Sequence, residues 1–313
     1  PVFRPFHVVF VILMALSITE ITSAREKTGL VLSGGGARGF AHVAVLEALE
    51  ANNVQIDYIA GTSMGAVAGA LYASGLSATE VREKLLSVDW NSTLRDVTDR
   101  NERSFRNKSF EGRNFLGLDL GVAPGDVRLP LAALRGQKLA LALNSLTLET
   151  ATVTDFDALP IPFRAMATDL ATGDAVVLGR GSLATALRAS MAVPVVYSPV
   201  EIDGRLYVDG GVANNLPVDV ARDMGADRVI VVDTSSLRYS TNELTSVVTV
   251  VDQLTNLLTR RNTEAQLEKL TDQDLLIEIF PEGIATADFN KAEDALAIGR
   301  KSLAAVPDIF ARF

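Results

Sequence analysis

The chain has 313 residues, 48% hydrophobic and 21% charged, with a formal net charge of −9 and no cysteine. That length gives one or two domains a large core, and the acidic balance argues against a nucleic-acid partner and against purely electrostatic docking on an anionic membrane. Without cysteine there are no disulfides, no thiolate catalysis and no cysteine metal sites.

Arg4 precedes an apolar run from Val8 to about Ile18, and a polar stretch then ends in Ser23-Ala24. This pattern reads as a secretory signal peptide over residues 1–24, cut after Ala24. The run is shorter than the roughly 20 residues that span a bilayer. A buried N-terminal strand or helix is the competing reading. Export implies a periplasmic, outer-membrane-associated or secreted location.

From Arg25 onward, strand and helix patterns alternate, with no linker, low-complexity run or internal repeat, so one domain over 25–313 is expected. "TGLVLSG" predicts a short apolar strand entering a glycine-rich turn. "FAHVAVLEALEANN" predicts an amphipathic helix with Val45, Leu46 and Leu49 on one face. "IDYIAG" is a second buried strand, "MGAVAGALYASG" a helix of small residues, and "ATEVREKLLSV" a helix capped near Ser77 or Thr79.

Periodicity is lost from Asn91 to about Pro130. Within that stretch, Arg100–Gly121 interleaves Arg103, Arg106, Lys108 and Arg113 with Phe105, Phe110 and Phe115. It is read either as a solvated loop with core anchors or as a flap in transient contact with a membrane surface. Strands follow at Phe163–Thr168, Ala175–Leu178, Arg228–Val232 and Leu275–Phe280. Helices are expected near Ser182–Met191, Pro217–Met224, Leu244–Leu270 and Lys291–Ile309. "VEIDGRLYV" predicts a hairpin turning at Asp203-Gly204. The alternation implies an α/β sheet covered by helices on both faces, with its sites at the carboxyl ends of the strands.

Gly61-Thr62-Ser63-Met64-Gly65 has the spacing of a nucleophile elbow, between a strand and a helix. Ser63 is the candidate nucleophile, yet no histidine follows it in the chain. His42 precedes it on the apolar face of its helix and reads as a packed core residue. Asp209, emerging from the hairpin into Gly210-Gly211, is the candidate base; Asp233 is the runner-up, and Asp169 reads as a turn residue. A desolvated aspartate rises from its reference pKa of about 3.9 toward a useful base. "SGGGARGFAH" also satisfies G-x-G-x-x-G. However, Asp57 begins the second strand, where a dinucleotide site wants its acid at the end, and no lysine follows Gly39 as in a phosphate loop. An oxyanion hole built from the amides of Gly35, Gly36, Ala37, Arg38 and Gly39 fits the loop better. No calcium-loop or zinc spacing occurs, so no metal and no other cofactor is expected.

These three motifs in this order, with "ATDLATG" and "RASMAVPVVYSPV", resemble the patatin-like phospholipase family from Gly29 to about Phe310. The resemblance implies a three-layer α/β/α patatin-like fold with a mainly parallel central sheet. It also implies a lipid acyl hydrolase acting on phospholipids or lysophospholipids through a Ser63–Asp209 dyad, and a homodimer is compatible with it. With its leader, the chain also resembles the patatin module that precedes a periplasmic adaptor and an outer-membrane barrel in some type V secretion proteins. It would be a fragment of such a protein or a freestanding relative. A non-catalytic lipid-binding module on the same fold is the alternative, and a dinucleotide-dependent oxidoreductase a distant third.

Overall fold

The central strands are apolar on both faces, as strands covered by helices on two sides must be. In β1 (Thr28–Leu32), Leu30 and Leu32 join one buried cluster and Val31 the other. The computed structural model describes residues 25–96, 121–123, 126–128, 132, 134–235 and 247–313. The expected signal segment and the cationic, aromatic stretch up to residue 120 lie outside the described residues.

After β1 come α1 (Ala41–Ala51), β2 (Tyr58–Thr62), α2 (Ser63–Ala73), α3 (Ala78–Ser87) and α4 (Trp90–Arg95). Ser77 caps α3: its hydroxyl accepts the Glu80 N–H, while the Glu80 carboxylate accepts the Ser77 N–H. A small antiparallel pair, β3 (Gly121–Ala123) and β4 (Asp126–Arg128), follows, and then α5 (Gln137–Leu146). The sequence reading leaves α5 out, although Leu139, Leu143 and Leu146 recur at helical spacing and are buried.

The second half adds β5 (Phe163–Asp169), β6 (Ala175–Leu178), α6 (Leu183–Ser190), β7 (Val200–Ile202) and β8 (Arg205–Asp209). It ends with α7 (Val218–Asp223), β9 (Arg228–Asp233), α8 (Val247–Leu267), β10 (Leu275–Glu278) and α9 (Ala292–Ala304). Asp203 and Gly204, both at positive φ, make the expected two-residue turn between β7 and β8.

Helices α1, α2, α3, α6 and α9 pack on one face of the sheet; α7 and the C-terminal end of α8 cover the other. The sheet runs β10-β9-β1-β2-β5-β8-β7, with β6 also on β5. Its first five strands are parallel, β6 and β8 run antiparallel to β5, and β7 pairs antiparallel with β8. The result is a three-layer α/β/α fold with a mostly parallel sheet.

One feature of the register decides where the site falls. Thr62, ending β2, pairs with Met166 of β5, and Asp209, ending β8, pairs with Ala167. Strand β6 overlaps both partners on β5, from Ala165 to Thr168, and so takes the opposite edge. Strands β2 and β8 therefore share one edge and meet end to end, running in opposite directions. Ser63 and Asp209 are the residues at that meeting point.

Candidate active site

Strand β2 turns into α2 at Ser63, whose φ is +51°. A non-glycine residue held in that region stores about 1–3 kcal/mol of strain, which the surrounding structure must hold in place. The Ser63 N–H donates to Ser190 Oγ at 2.8 Å, and Thr62 Oγ1 donates to the Asn214 carbonyl at 2.9 Å. Gly65 allows α2 to lie against the end of β1, because a Cβ there would run into the Leu32 and Ser33 carbonyls.

Asp209 is 5% exposed. Its backbone carbonyl accepts the Thr168 hydroxyl at 2.9 Å, and its Oδ1 accepts the Gly211 N–H at 2.8 Å. The Ser63 side chain lies beside its carboxylate, and both line the same cavity. Burial pushes the Asp209 carboxyl up to about 6, outweighing the Gly211 amide and the Ser63 hydroxyl, which pull it down. The other two aspartates are engaged elsewhere. Asp233 accepts the Ser235 N–H, while Asp169 accepts the Ala171 and Thr172 N–H groups and pairs with Arg205. Of the three carboxylates considered, the fold brings Asp209 to Ser63.

His42 is fully buried behind the glycine loop, and its Nε2 lies 2.8 Å from the Ser33 carbonyl. Burial drives its pKa down to about 4, against the pull of that carbonyl. The ring is therefore neutral at physiological pH, with Nε2–H as the donor. It does not line the cavity at Ser63.

The glycine loop forms a 3-10 turn from Gly36 to Phe40, entered at φ +56°. The Ala37 N–H donates to the Thr286 carbonyl at 2.9 Å and the Arg38 N–H to the Gly35 carbonyl at 3.3 Å. Gly34 N–H donates to Asn215 Oδ1 at 3.2 Å. Among the described residues, the amides of Gly35 and Gly36 are left without a partner, and both residues line the cavity. Of the five expected residues, Ala37 and Arg38 have their amides engaged, and neither Ala37 nor Gly39 lines the cavity. Arg38 is a brace. Its guanidinium donates to the Thr234 and Ile284 carbonyls and to Thr286 Oγ1. Sequence reasoning gave no role to Ser190, Asn215 or Thr286, although Ser190 lies in the "RASMAVPVVYSPV" segment that carries part of the resemblance.

Ser63 and Asp209 open into a cavity of about 500 Å³. Leu94, Met191, Val193, Val196, Tyr197 and Phe289 form its apolar wall. Phe289 is stacked on Trp90 with ring centroids 5.7 Å apart, which keeps that wall rigid. Asn215, Asn256 and Thr259 lie on the polar side. A strained serine, a carboxylate with a raised pKa, two available amides and an apolar cavity together suit attack on an ester of an apolar acid. Among the described residues, no group of three or more histidine or acidic side chains is placed to hold a metal ion, and no helix is long and apolar enough to cross a membrane.

Comparison with known proteins adds four findings. The family model described as patatin-like phospholipase matches residues 30–222. An uncharacterised NTE family protein of Mycobacterium bovis is 35% identical over 211 residues, covering 67% of this chain and 49% of that protein. Patatin-like phospholipase domain-containing protein 6 of Homo sapiens is 32% identical over 220 residues, covering 68% of this chain and 14% of the human protein. The crystal structure of VipD from Legionella pneumophila aligns with a TM-score of 0.45 at 16% identity, covering 91% of this chain and 67% of that one. The chain spans at most about half the length of these curated relatives.

Proposed function

Because the chain belongs to the patatin-like phospholipase family, we propose that it is a serine acyl hydrolase cleaving fatty-acyl esters of phospholipids or lysophospholipids. Asp209 takes the Ser63 proton as Oγ attacks the ester carbonyl, and the Gly35 and Gly36 amides receive the developing oxyanion. The protonated Asp209 then returns the proton to the departing alcohol. Water enters, gives its proton to Asp209, attacks the acyl-enzyme and releases the fatty acid as the proton returns to Ser63.

The observation that carries this reading is the end-to-end meeting of β2 and β8, which sets Asp209 against Ser63. Burial supports it, since a carboxyl near 6 is a far better proton acceptor at neutral pH than an ordinary aspartate. The test is fluorophosphonate labelling of Ser63 together with product analysis on a phospholipid whose two acyl chains are distinguishable. Release of labelled fatty acid is expected. A folded protein that binds such lipids, releases no fatty acid and resists the label would instead be the non-catalytic module.

The same proposal includes export after cleavage near Arg25 and transient contact with a lipid surface during turnover. Mass spectrometry of exported protein should find Arg25 or a neighbour at the N-terminus. An intact leader would contradict that part.

A further inference from the structure

The inner face of α8 changes character along its length. Leu267, and Leu270 just beyond the helix, pack on the second apolar cluster. Nearer the active site, Thr259, Asn262 and Gln266 recur at spacings of three and four and form hydrogen bonds instead. Thr259 Oγ1 donates to the Gly211 carbonyl at 2.9 Å. Asn262 Nδ2 donates to the same carbonyl at 3.0 Å and to that of Val212 at 3.1 Å, and Asn262 Oδ1 accepts the Asn215 N–H at 2.9 Å. Gly211 is the residue whose amide holds Asp209, and Asn215 is the residue whose Oδ1 holds Gly34. A continuous set of bonds therefore runs from α8 through the 209–215 loop to the carboxylate and to the glycine loop.

We propose that Thr259 and Asn262 are positioning residues, clamping Gly211 so that its amide fixes the Asp209 carboxylate at Ser63. The inference rests on reading Asp209 as the base. It is not a general statement about helix packing, because Gln266 on the same stripe serves another segment. Gln266 Nε2 donates to Asp219 Oδ2 at 2.7 Å, and its Oε1 accepts the Asp219 N–H at 3.2 Å, in the first turn of α7. The three residues make similar bonds, but only two bond the loop at Gly211, the residue that holds the base; Gln266 reaches the loop only through Asp219, whose Oδ1 accepts the Asn214 side-chain amide at 3.0 Å.

The experiment compares Thr259→Val, Asn262→Ala and Gln266→Ala by kcat, KM and the pH profile of kcat on p-nitrophenyl butyrate, with thermal melts. Thr259→Val keeps the shape and deletes only the donor. Both clamp variants should lose about 10-fold or more in kcat with little change in KM, since small misplacements of reacting groups are costly. Their acid limb should move to higher pH, because a slackened Gly211 amide no longer holds the carboxyl down while burial persists. Arg38, Arg95 and Asp288 also line the cavity and His42 lies behind it, but they are common to all three variants. Gln266→Ala should lower the melting temperature and move neither readout. A normal kcat or an unmoved acid limb in well-folded Thr259→Val overturns the proposal, as does an equal change in Gln266→Ala. If Asn262→Ala fails to fold, Thr259→Val decides alone. Asp209→Asn is run beside them: an active Asp209→Asn sinks the reading of the base, whereas a dead one beside unaffected clamp variants sinks only the clamp.

Discussion

Two segments meet at Ser63, and each carries a buried ionisable group. Ser33–His42 brings the glycine loop and a histidine; Asp209–Asn215 brings a carboxylate and its supporting asparagine. Burial disfavours charge on both, lowering His42 to about 4 and raising Asp209 to about 6. What separates them is what they face. His42 faces the Ser33 carbonyl in a closed pocket, whereas Asp209 faces a hydroxyl at the edge of a cavity. A perturbed pKa marks both; access to a reacting atom marks only one.

The largest effect should come from the acidic side of this comparison. Asp209→Asn is expected to lose on the order of 10⁴-fold or more in turnover, about as much as Ser63→Ala, because the pair acts as a unit. In the wild type, kcat should fall as pH drops below about 6, where Asp209 becomes protonated. A folded Asp209→Asn enzyme with appreciable turnover would move the base elsewhere.

The glycine loop should give the next largest effect. Gly36 sits at φ +56° with no room for a Cβ beside the Thr286 carbonyl, so Gly36→Val must displace the loop. Turnover should fall by about 10²-fold or more, on the scale of one lost oxyanion donor. Arg38→Ala should cost less, because the guanidinium braces the loop through Thr234, Ile284 and Thr286 while the Gly35 and Gly36 amides remain. Its Ser63 should still be labelled by a fluorophosphonate. Near-normal turnover in well-folded forms of both variants would place the oxyanion donors elsewhere.

The two segments were not equally legible in the sequence. G-x-S-x-G between a strand and a helix, and Asp-Gly-Gly after a hairpin with Asp203-Gly204 at its turn, are local patterns with local causes. That β8 lies end to end with β2 on β5 is a choice of pairing partner, which periodicity does not encode. Nor could the loop reveal its free amides, since Ala37 is occupied by Thr286 from far along the chain. The polar stripe of α8 could be read as helical, but Asn262 and Thr259 look solvent-facing until Gly211 lies under them. Helix α5 is different: Leu139, Leu143 and Leu146 carried the signal, which adjoined an aperiodic stretch.

The smallest effect on turnover is expected at His42, where the informative measurement is stability against pH. Gln at this position can keep a donor to the Ser33 carbonyl, so His42→Gln should retain most of its turnover. In the wild type, the depressed pKa of His42 contributes stability that is present above about 6.5, the unfolded value, and lost as pH falls through about 4. Asp209 has the opposite sign. Its raised pKa contributes stability that is present below about 3.8 and lost as pH rises through about 6. At about 1.4 kcal/mol for each tenfold change in proton affinity, each contribution is on the order of 3 kcal/mol. Over the window from about pH 6.5 to 4 the two nearly cancel. Removing one exposes the other, so His42→Gln should gain stability relative to wild type as pH falls from 7 to 4.5, and Asp209→Asn should lose it. Urea midpoints for the three proteins at both pH values decide the matter. Parallel responses in all three would mean that burial shifts neither group, and a dead but well-folded His42→Gln would place the histidine in the chemistry.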